Sequence, residues 1–212
     1  ASKKELENGA FVRNNEIWFA MNGSERRVCR TEEIFIPGPH NLENALGAVC
    51  VAAAMNVPVP VIRHSLKTFR GVEHRIESVR ELDGVEYIND SKGTNPDSTI
   101  KAVQTMSQPT VIILGGYDKH ASFDALSREI VNSPMIRHAV LIGETAGLIR
   151  HSLERAGFNA ITEAGTMKEA VAVSQKLARK GWCVLLSPAC ASFDMFKDYE
   201  ERGRVFKEIV RL

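Results

Sequence analysis

Polar side chains that could bind an anion occupy residues 89–96, whose sequence is NDSKGTNP. Asn95 can cap a helix that has Pro96 at its first position, so that backbone N–H groups and Lys92 face one spot. An anion would bind well at such a spot. The same residues are equally consistent with a strand-to-helix turn that has only a structural role.

A second candidate segment, residues 115–120, has the sequence GGYDKH and follows an apolar run. Its two glycines allow the backbone to approach a ligand closely, and Lys119 supplies a point charge for a carboxylate or phosphate. The segment is neither a Walker loop nor a GxGxxG fingerprint, so the glycines alone do not indicate nucleotide binding. Lys119 could equally well be an ordinary solvent-exposed lysine with no ligand.

The third candidate segment, residues 185–194, reads LLSPACASFD. Small residues and hydroxyls leave a predicted strand here and enter a predicted helix, which indicates another anion site, with Ser192 at the helix start. Cys190 is a weak candidate nucleophile. No histidine lies near it in the sequence, and a small buried thiol is commoner than a reactive one.

Two shorter motifs come earlier in the chain. A predicted helix opens with the run His40-Asn41-x-x-Asn44. The side-chain amides of Asn41 and Asn44 could hydrogen-bond to the edge of a nucleotide base, or they could cap the helix. His74-Arg75 lies where the sequence pattern changes, and an arginine there could reach across a cleft between domains. Each motif alone is weak evidence.

Apolar runs of strand length alternate with amphipathic stretches in the second part of the chain. Asp83-Gly84 is a strong hairpin signal between the first two runs. Strands are predicted at residues 78–82, 85–88, 110–114, 139–142, 159–162 and 183–186. The alternation predicts an α/β fold with a mainly parallel, Rossmann-like sheet that has helices on both faces. Ligands bind such sheets beyond the carboxyl ends of the strands, where the candidate segments lie.

Two helices of this part have recognisable signals. Thr166 and Glu169 form a predicted capping box, and the helix that they open is predicted to stop at Gly181. The last predicted helix carries Phe196 near its start and Val210 near its end on one apolar side.

The first part of the chain has a different, α+β pattern. Short strands are predicted at residues 10–13, 16–20, 27–30 and 34–36, followed by helices from Asn41 to Pro58 and from Pro60 to Phe69. Strands as few and short as these have too little core to be stable alone, so they are expected to be the edge of something larger. A domain boundary is predicted between residues 72 and 73.

Composition excludes several classes of protein. A formal net charge of +1 gives no electrostatic footprint for nucleic acid, and no apolar run approaches the roughly 20 residues that membrane insertion requires. The four cysteines have no metal-ligand spacing, so a zinc site is not expected and reduced thiols are. Residues 1–7 include no apolar stretch of the kind found in secretory signals. A cytoplasmic protein is therefore expected.

Taken in order, the five motifs resemble the Mur ligase family of bacterial peptidoglycan synthesis over essentially the whole chain. Residues 187–194, with the run from Phe196 to Gly203, are most similar to the member that adds D-glutamate. The resemblance implies that residues 1–72 are the C-terminal remnant of a central ATP-binding domain. It implies that residues 73–212 are the Rossmann-like C-terminal domain.

The resemblance also implies roles for individual residues. On the nucleotide side, Asn41 and Asn44 would lie near adenine, Asp90 near the ribose and Arg75, beside His74, near the terminal phosphates. Lys92 would face the nucleotide from the same cleft. The residues that would hold D-glutamate are Thr94, Lys119, Ser192, Phe193 and Tyr199. The catalytic charges would come from Lys119, Arg75 and Lys92. Tyr199 stands where the family would have phenylalanine, and Phe193 where leucine is common; both keep an apolar contact.

In this family ATP, with Mg²⁺, phosphorylates the carboxylate of the nucleotide-sugar substrate, here UDP-N-acetylmuramoyl-L-alanine, and D-glutamate attacks the acyl phosphate. The 212 residues contain no GxxxxGK[ST] run. The resemblance therefore implies a fragment, expected to be monomeric and inactive alone, with the phosphate loop and Mg²⁺ ligands elsewhere. A Rossmann dehydrogenase is disfavoured, because the fingerprint glycines and the acidic ribose residue are missing. A stand-alone nucleotide-binding or scaffolding module stays open as the alternative.

Overall fold

The computed structural model describes residues 5–36 and 38–212, apart from the side chains of Pro39 and His40. Residues 1–4, which contributed to the argument against a secretory signal, lie outside the described residues. The chain divides into two compact units, Ala1–Gly71 and Val72–Leu212. That the first unit belongs to a central ATP-binding domain stays a prediction.

The first unit is a three-stranded antiparallel sheet with two helices. Its elements are β1 (Gly9–Arg13), β2 (Glu16–Met21), β3 (Ser24–Arg30), a 3-10 turn (Thr31–Glu33), α1 (Pro39–Ala54) and α2 (Val59–Thr68). Asn14, Asn15, Asn22 and Gly23 all have positive φ, as the tight hairpin turns between twisted strands require. The strands predicted at residues 10–13, 16–20 and 27–30 all lie within these three observed strands. Ile17, Val28, Leu46 and Val49 form the centre of the unit's core.

The predicted strand at residues 34–36 is wrong. The preceding residues form the 3-10 turn, in which the Ile34 N–H donates to the Thr31 carbonyl, at 3.3 Å. The Phe35 N–H donates to the Leu66 carbonyl at the end of α2, at 3.1 Å. The backbone is thus paired with a turn and a helix end, so apolar composition alone does not make these residues a strand.

The second unit is an α/β domain with one six-stranded sheet. Its strands are β4 (Glu77–Leu82), β5 (Val85–Asn89), β6 (Thr110–Leu114), β7 (Ile136–Leu141), β8 (Ile161–Glu163) and β9 (Cys183–Leu186). Its helices are α3 (Pro96–Thr105), α4 (Asp124–Asn132), α5 (Ala146–Ala156), α6 (Met167–Leu177) and α7 (Tyr199–Arg211). The strand order is β4-β5-β9-β6-β7-β8, and only β4 is antiparallel to its neighbour. The predicted mainly parallel α/β fold is confirmed.

The ends of α6 and α7 agree only in part with the sequence prediction. The Thr166 side chain caps α6 by accepting from the Glu169 N–H, at 3.1 Å, as predicted. The Glu169 carboxylate accepts from the Gly165 N–H and not from the N–H of the cap residue, Thr166. The helix ends at Leu177, before the glycine at 181 that was expected to stop it. The last helix begins at Tyr199, so Phe196 lies before it.

Helices cover both faces of the sheet. Side chains of α3, α4 and α5 pack on one face with Ile112 and Leu114 of β6. Side chains of α6 and α7 pack on the other face with Val111 and Ile113. Because successive side chains of a strand point to opposite faces, a continuous apolar strand needs two covering layers. In the described part of the chain, no helix combines the length and apolarity needed to cross a membrane.

The handedness of the connections fixes the face of the sheet on which each helix lies. From β5 to β8 the chain moves in one direction across the sheet, with α3, α4 and α5 on one face. A right-handed return to β9 requires the crossover helix on the other face, where α6 lies. The returning strand enters between β5 and β6. The segments that follow β5, β9 and β6 are therefore side by side, where the chain direction across the sheet reverses.

Candidate active site at the carboxyl ends of three strands

The segments after β6 and β9 are hydrogen-bonded to each other. The Gly115 N–H donates to the Pro188 carbonyl at 2.8 Å, and the Tyr117 N–H donates to the Ala191 carbonyl at 2.9 Å. This pairing continues the sheet beyond its last regular residues. It brings the second and third candidate segments of the sequence together.

Lys119 and Phe193 meet where these two segments join. The Lys119 Nζ lies 6.0 Å from the centroid of the Phe193 ring. The Tyr117 ring stands edge-on to the same ring, with centroids 6.1 Å apart. Both aromatic rings are exposed at the surface. An ammonium beside exposed apolar rings can contact a carboxylate and the methylenes next to it.

Ser192 does not start a helix, so this expectation is wrong. The Ser192 carbonyl accepts from the N–H groups of Met195 and Phe196, at 3.1 and 2.8 Å, in an isolated turn. Helix α7 begins later because Asp198 caps it, accepting from the Glu201 N–H at 2.7 Å. Glu201 in turn accepts from the N–H of Lys197, the residue before the cap. Ser192 itself is buried in the segment that approaches the Lys119 loop.

Asp90 lies below the surface at the end of β5. One of its carboxylate oxygens accepts from Ser187 Oγ at 2.6 Å, and the other accepts from the Ile76 N–H at 3.2 Å. Burial raises the pKa of Asp90 to about 6, against the opposing effect of these hydrogen bonds. Both oxygens of the carboxylate expected near a ribose thus already have partners within the unit.

His74 is also buried, whereas the next residue, Arg75, is exposed. The Nδ1 atom of His74 lies 2.9 Å from the Asn89 amide nitrogen. Gly203 of α7 packs directly on the ring, since a Cβ atom there would lie 2.2 Å from Nδ1. The ring of His74 is therefore part of the packed interior beneath the site, and Arg75 is the member of the pair that faces solvent.

Tyr199 and Lys92 lie together at the end of β5. The Lys92 Nζ is 5.6 Å from the centroid of the Tyr199 ring, which is also edge-on to the His74 ring at 6.2 Å. Thr94 is half-buried, and its N–H donates to the Lys92 carbonyl. The expected D-glutamate residues thus divide between two neighbouring places. Tyr199 and Thr94 lie on the β5 side, and Lys119, Phe193 and Ser192 lie on the β6 and β9 side.

The start of α3 offers less to an anion than the sequence suggested. The Asn95 side chain caps the helix by accepting from the Ser98 N–H at 2.9 Å, as predicted. That bond uses one of the donors, Pro96 has none, and Asp97 places a carboxylate in the first turn. Attraction for a phosphate on this side therefore comes mainly from the exposed cations Lys92 and Arg75.

Arg202 of α7 is buried and hydrogen-bonds to both the segment after β5 and the segment after β9. Its guanidinium, 1% exposed, donates to the Ser91 carbonyl and hydroxyl at 2.8 and 3.0 Å, and to the Cys190 and Ala191 carbonyls at 3.0 and 3.1 Å. Burial lowers the pKa of Arg202 to about 10, so the group stays charged at neutral pH. Sequence reasoning gave it no role. Its spacing from the apolar Phe206 and Val210, at four and eight residues, placed it on the buried side of α7.

A second missed element is the turn after β7, Gly143-Glu144-Thr145. The Thr145 hydroxyl bonds both backbone groups of Gly116 in the Lys119 loop. The Glu144 N–H donates to Asp194 in the Ser192 segment, at 3.0 Å. The turn follows a predicted strand, so the rule that led to the other candidate segments applied to it as well.

Carboxylates that could hold a metal ion are already paired with a lysine. Among residues 5–36 and 38–212, one group has suitable geometry: Glu73, His74 and Glu77. The Lys207 ammonium contacts Glu73 at 2.9 Å and Glu77 at 2.6 Å. It supplies the positive charge that a metal would bring. The Cys190 thiol is buried with a pKa raised to about 11, which agrees with an unreactive cysteine.

Asn41 and Asn44 lie in the first unit, on the opening turn of α1. The Asn44 amide donates to the Asn41 side-chain oxygen, at 3.3 Å. The pair lies on one side of the helix, as its spacing of three residues requires. Its role toward adenine stays a prediction.

Comparison with known proteins identifies the family of this chain. A family profile described as "Mur ligase, glutamate ligase domain" matches residues 74–190, more than half of the chain. The chain belongs to the Mur ligase family. The profile spans His74, the β5 and β6 ends and the segment up to Cys190.

Curated Mur ligases include near relatives of this chain. It is 48% identical over 210 residues to the UDP-N-acetylmuramoylalanine–D-glutamate ligase of Thermoanaerobacter sp. strain X514, covering 98% of this chain and 46% of that enzyme. It is 47% identical over 208 residues to the enzyme of that name from Pelotomaculum thermopropionicum, covering 98% and 45%. The chain thus spans about half the length of the curated relatives it matches.

Solved structures of a Mur ligase and of E. coli FolC share the fold. UDP-N-acetylmuramate-alanine ligase MurC from Thermotoga maritima matches with a TM-score of 0.64 and 18% identity, covering 93% of this chain and 43% of that one. E. coli FolC in complex with ADP matches with a TM-score of 0.65 and 14% identity, covering 95% and 46%. At these identities the likeness shows the fold alone.

Proposed function

We propose that this chain forms part of an ATP-dependent Mur ligase that adds D-glutamate to UDP-N-acetylmuramoyl-L-alanine. The observation that carries the proposal is the meeting of Lys119 and Phe193 at the joined ends of β6 and β9. A dicarboxylic amino acid needs a cation and an apolar contact, and this place has both. The identity to curated D-glutamate ligases supports the same substrate.

The reaction joins a carboxylate to an amine with loss of phosphate. The γ-phosphoryl group of ATP passes to the carboxylate of the alanyl substrate, and the D-glutamate amine attacks that acyl phosphate, which releases phosphate. Negative charge accumulates on both the transferring group and the tetrahedral intermediate. Exposed cations around the strand ends, Lys92, Arg75 and Lys119, are suited to stabilise it.

On the amino-acid side, Lys119 binds one carboxylate of D-glutamate by a charge-assisted contact. Ser192 and Thr94 hold the amino acid with hydrogen bonds. Phe193 and Tyr199 provide the apolar walls beside its methylenes.

On the nucleotide side, Lys92 and Arg75 face the phosphates of ATP, while the buried His74 ring packs beneath them against Asn89 and Gly203. Asn41 and Asn44 bind adenine. Asp90, whose two oxygens accept from Ser187 and Ile76, acts on the ribose side mainly by shaping the loop after β5.

Magnesium is held mainly by residues outside this chain. Each oxygen of Asp90, the carboxylate at the β5 end, already accepts a hydrogen bond, and Glu73 and Glu77 share the ammonium of Lys207. The phosphate loop belongs to the same missing part, since no Walker sequence occurs in the chain. The whole ligase acts as a cytoplasmic monomer.

Phosphate release by the full-length gene product tests this function. With ATP, Mg²⁺ and UDP-N-acetylmuramoyl-L-alanine, release should depend on D-glutamate and not on L-alanine, L-lysine or diaminopimelate. Dependence on another amino acid would contradict the substrate assignment. Nucleotide binding without turnover under any of these conditions would favour the alternative, a nucleotide-binding module.

A further inference from the structure

The Thr145 hydroxyl lies at the centre of a buried set of hydrogen bonds between the strand-end loops. Thr145 is fully buried. Its Oγ1 accepts from the Gly116 N–H at 3.1 Å and donates to the Gly116 carbonyl at 3.0 Å. The Cys190 thiol lies 3.2 Å away and donates to the same oxygen, since the hydroxyl proton is already used. One hydroxyl thus joins the Lys119 loop to the segment that follows β9.

Neighbouring residues of the same turn repeat this connection. The Thr145 N–H donates to the Gly116 carbonyl at 3.0 Å. The Glu144 N–H donates to Asp194, two residues after Ser192, at 3.0 Å. Gly143 leaves space for that carboxylate, because a Cβ atom there would lie 2.3 Å from it. The turn therefore contacts both loops that carry the proposed D-glutamate residues.

We propose that Thr145 is a positioning residue of the D-glutamate site, which holds the Lys119 loop in register with the Ser192 segment. The inference rests on the proposed function. Gly116, the residue held by the hydroxyl, has a φ of +148° and lies three residues before Lys119. Without the hydroxyl the Gly116 N–H would be buried and unpaired, so the loop would move to find another partner. Lys119 would move with it.

Kinetics of the full-length ligase separate positioning from general stability. Thr145→Val keeps the shape of the side chain and removes the hydroxyl, so the KM for D-glutamate should rise about tenfold, the equivalent of one lost hydrogen bond. The KM for ATP should change less than about twofold. Thr145→Ser keeps the hydroxyl and should restore the D-glutamate KM to within about twofold of wild type.

Thr110→Val is the matched control at the opposite end of β6. Thr110 is also fully buried, and its hydroxyl bonds the Gln108 carbonyl at 2.8 Å and lies 3.0 Å from the Cys183 thiol. The substitution loses a comparable buried hydroxyl far from the carboxyl ends of the strands. It should leave the KM for D-glutamate unchanged at a temperature where both variants are folded.

Asp194→Ala tests the same turn without touching the core. Asp194 is exposed, so the variant should fold, and loss of its bond to the Glu144 N–H should raise the D-glutamate KM about threefold or more. If Thr145→Val does not fold, the D-glutamate KM of Asp194→Ala tests the positioning role in its place.

Lys119→Met distinguishes failure of this inference from failure of the function. A raised D-glutamate KM in Lys119→Met, with normal values in Thr145→Val and Asp194→Ala, would refute the positioning role and leave the proposed function intact. Equal rises in the KM for ATP and D-glutamate would also refute it. A wild-type enzyme without D-glutamate-dependent phosphate release would overturn both.

Discussion

Lys119 is an exposed ammonium held beside Phe193 by the pairing of two loops, and its charge is not shared with a carboxylate at salt-bridge distance in the described structure. A charge-assisted contact to a substrate carboxylate is typically worth about 1.5–3 kcal/mol. Lys119→Met in the full-length ligase should therefore raise the KM for D-glutamate about ten- to hundredfold.

Lys168→Met, an exposed lysine on α6, is the control for this change and should be kinetically silent. The KM for ATP should change much less than that for D-glutamate in Lys119→Met. If both rose equally, Lys119 would act on the nucleotide.

Asp90 gives the second unit a pH-dependent stability. Its pKa is about 6 in the folded chain against an ordinary value of 3.8, so the folded state holds a proton that the unfolded state has lost between about pH 4 and pH 6. The stabilisation associated with that proton is present below pH 4 and disappears as the pH rises through 6. Asp90→Asn cannot ionise. Relative to this variant, wild type should lose about 3 kcal/mol or less between pH 4 and pH 7.

Urea unfolding at several pH values measures this difference. In a Trp18→Phe background, Trp182 is the remaining tryptophan and reports the second unit. A difference in the free energy of unfolding between wild type and Asp90→Asn that stayed constant across this range would contradict the raised pKa.

Which single residues could be predicted depended on the range of their contacts. Lys119 and Lys92 became candidate site residues because they follow apolar strands in the sequence, and strand ends of a parallel sheet converge. Thr145 and Arg202 act through atoms distant in sequence; Arg202 contacts Ser91 across 111 residues. No local pattern records such a pairing. The misplaced helix start at Ser192 has a local cause, because the cap of Asp198 and Glu201 outcompetes that of a serine.

Helix α7 is fastened to the sheet by Arg202. Its side chain satisfies three buried carbonyls and one hydroxyl in the segments after β5 and β9. Arg202→Met would leave these groups unpaired, so the free energy of unfolding of the second unit should fall by about 3–5 kcal/mol. Arg202→Lys should recover less than half, because an ammonium cannot reproduce the planar fork of donors.

Arg204→Met on the same helix is the control, since Arg204 is exposed and should change stability by less than about 0.5 kcal/mol. Trp182 fluorescence in urea measures all three variants. A loss below about 1 kcal/mol in Arg202→Met would mean that water satisfies the carbonyls as well as the guanidinium does.

At the scale of elements, strands with strong local signals were predicted best. The strands at 110–114 and 183–186 were predicted with the observed limits, because they are continuous apolar runs with breakers on both sides. The segment at 34–36 has equal apolar character, but it pairs with a turn and with the end of α2. Such pairing depends on tertiary structure and is not visible in the segment itself.

The isolated chain should catalyse nothing by itself. It spans about half the length of its curated relatives and has no phosphate-loop sequence. Incubated with ATP, Mg²⁺, UDP-N-acetylmuramoyl-L-alanine and D-glutamate, the isolated chain should release no phosphate above the blank. Turnover that copurifies with the 212-residue chain through two columns would contradict this expectation. A catalytically dead full-length variant, prepared in parallel, controls for contaminating phosphatase.

Because β9 lies between β5 and β6, the order of synthesis on the ribosome constrains how the second unit is built. β9 is made after the other five strands of the sheet, and until then β5 and β6 each lack their inner neighbour. The nascent sheet consists of two incomplete halves with open apolar edges, a state prone to wrong pairing. The loops that carry Lys92 and Lys119 meet the segment between them only when this last strand is inserted. Completion of the sheet and assembly of the site are therefore one event, late in the synthesis of the chain.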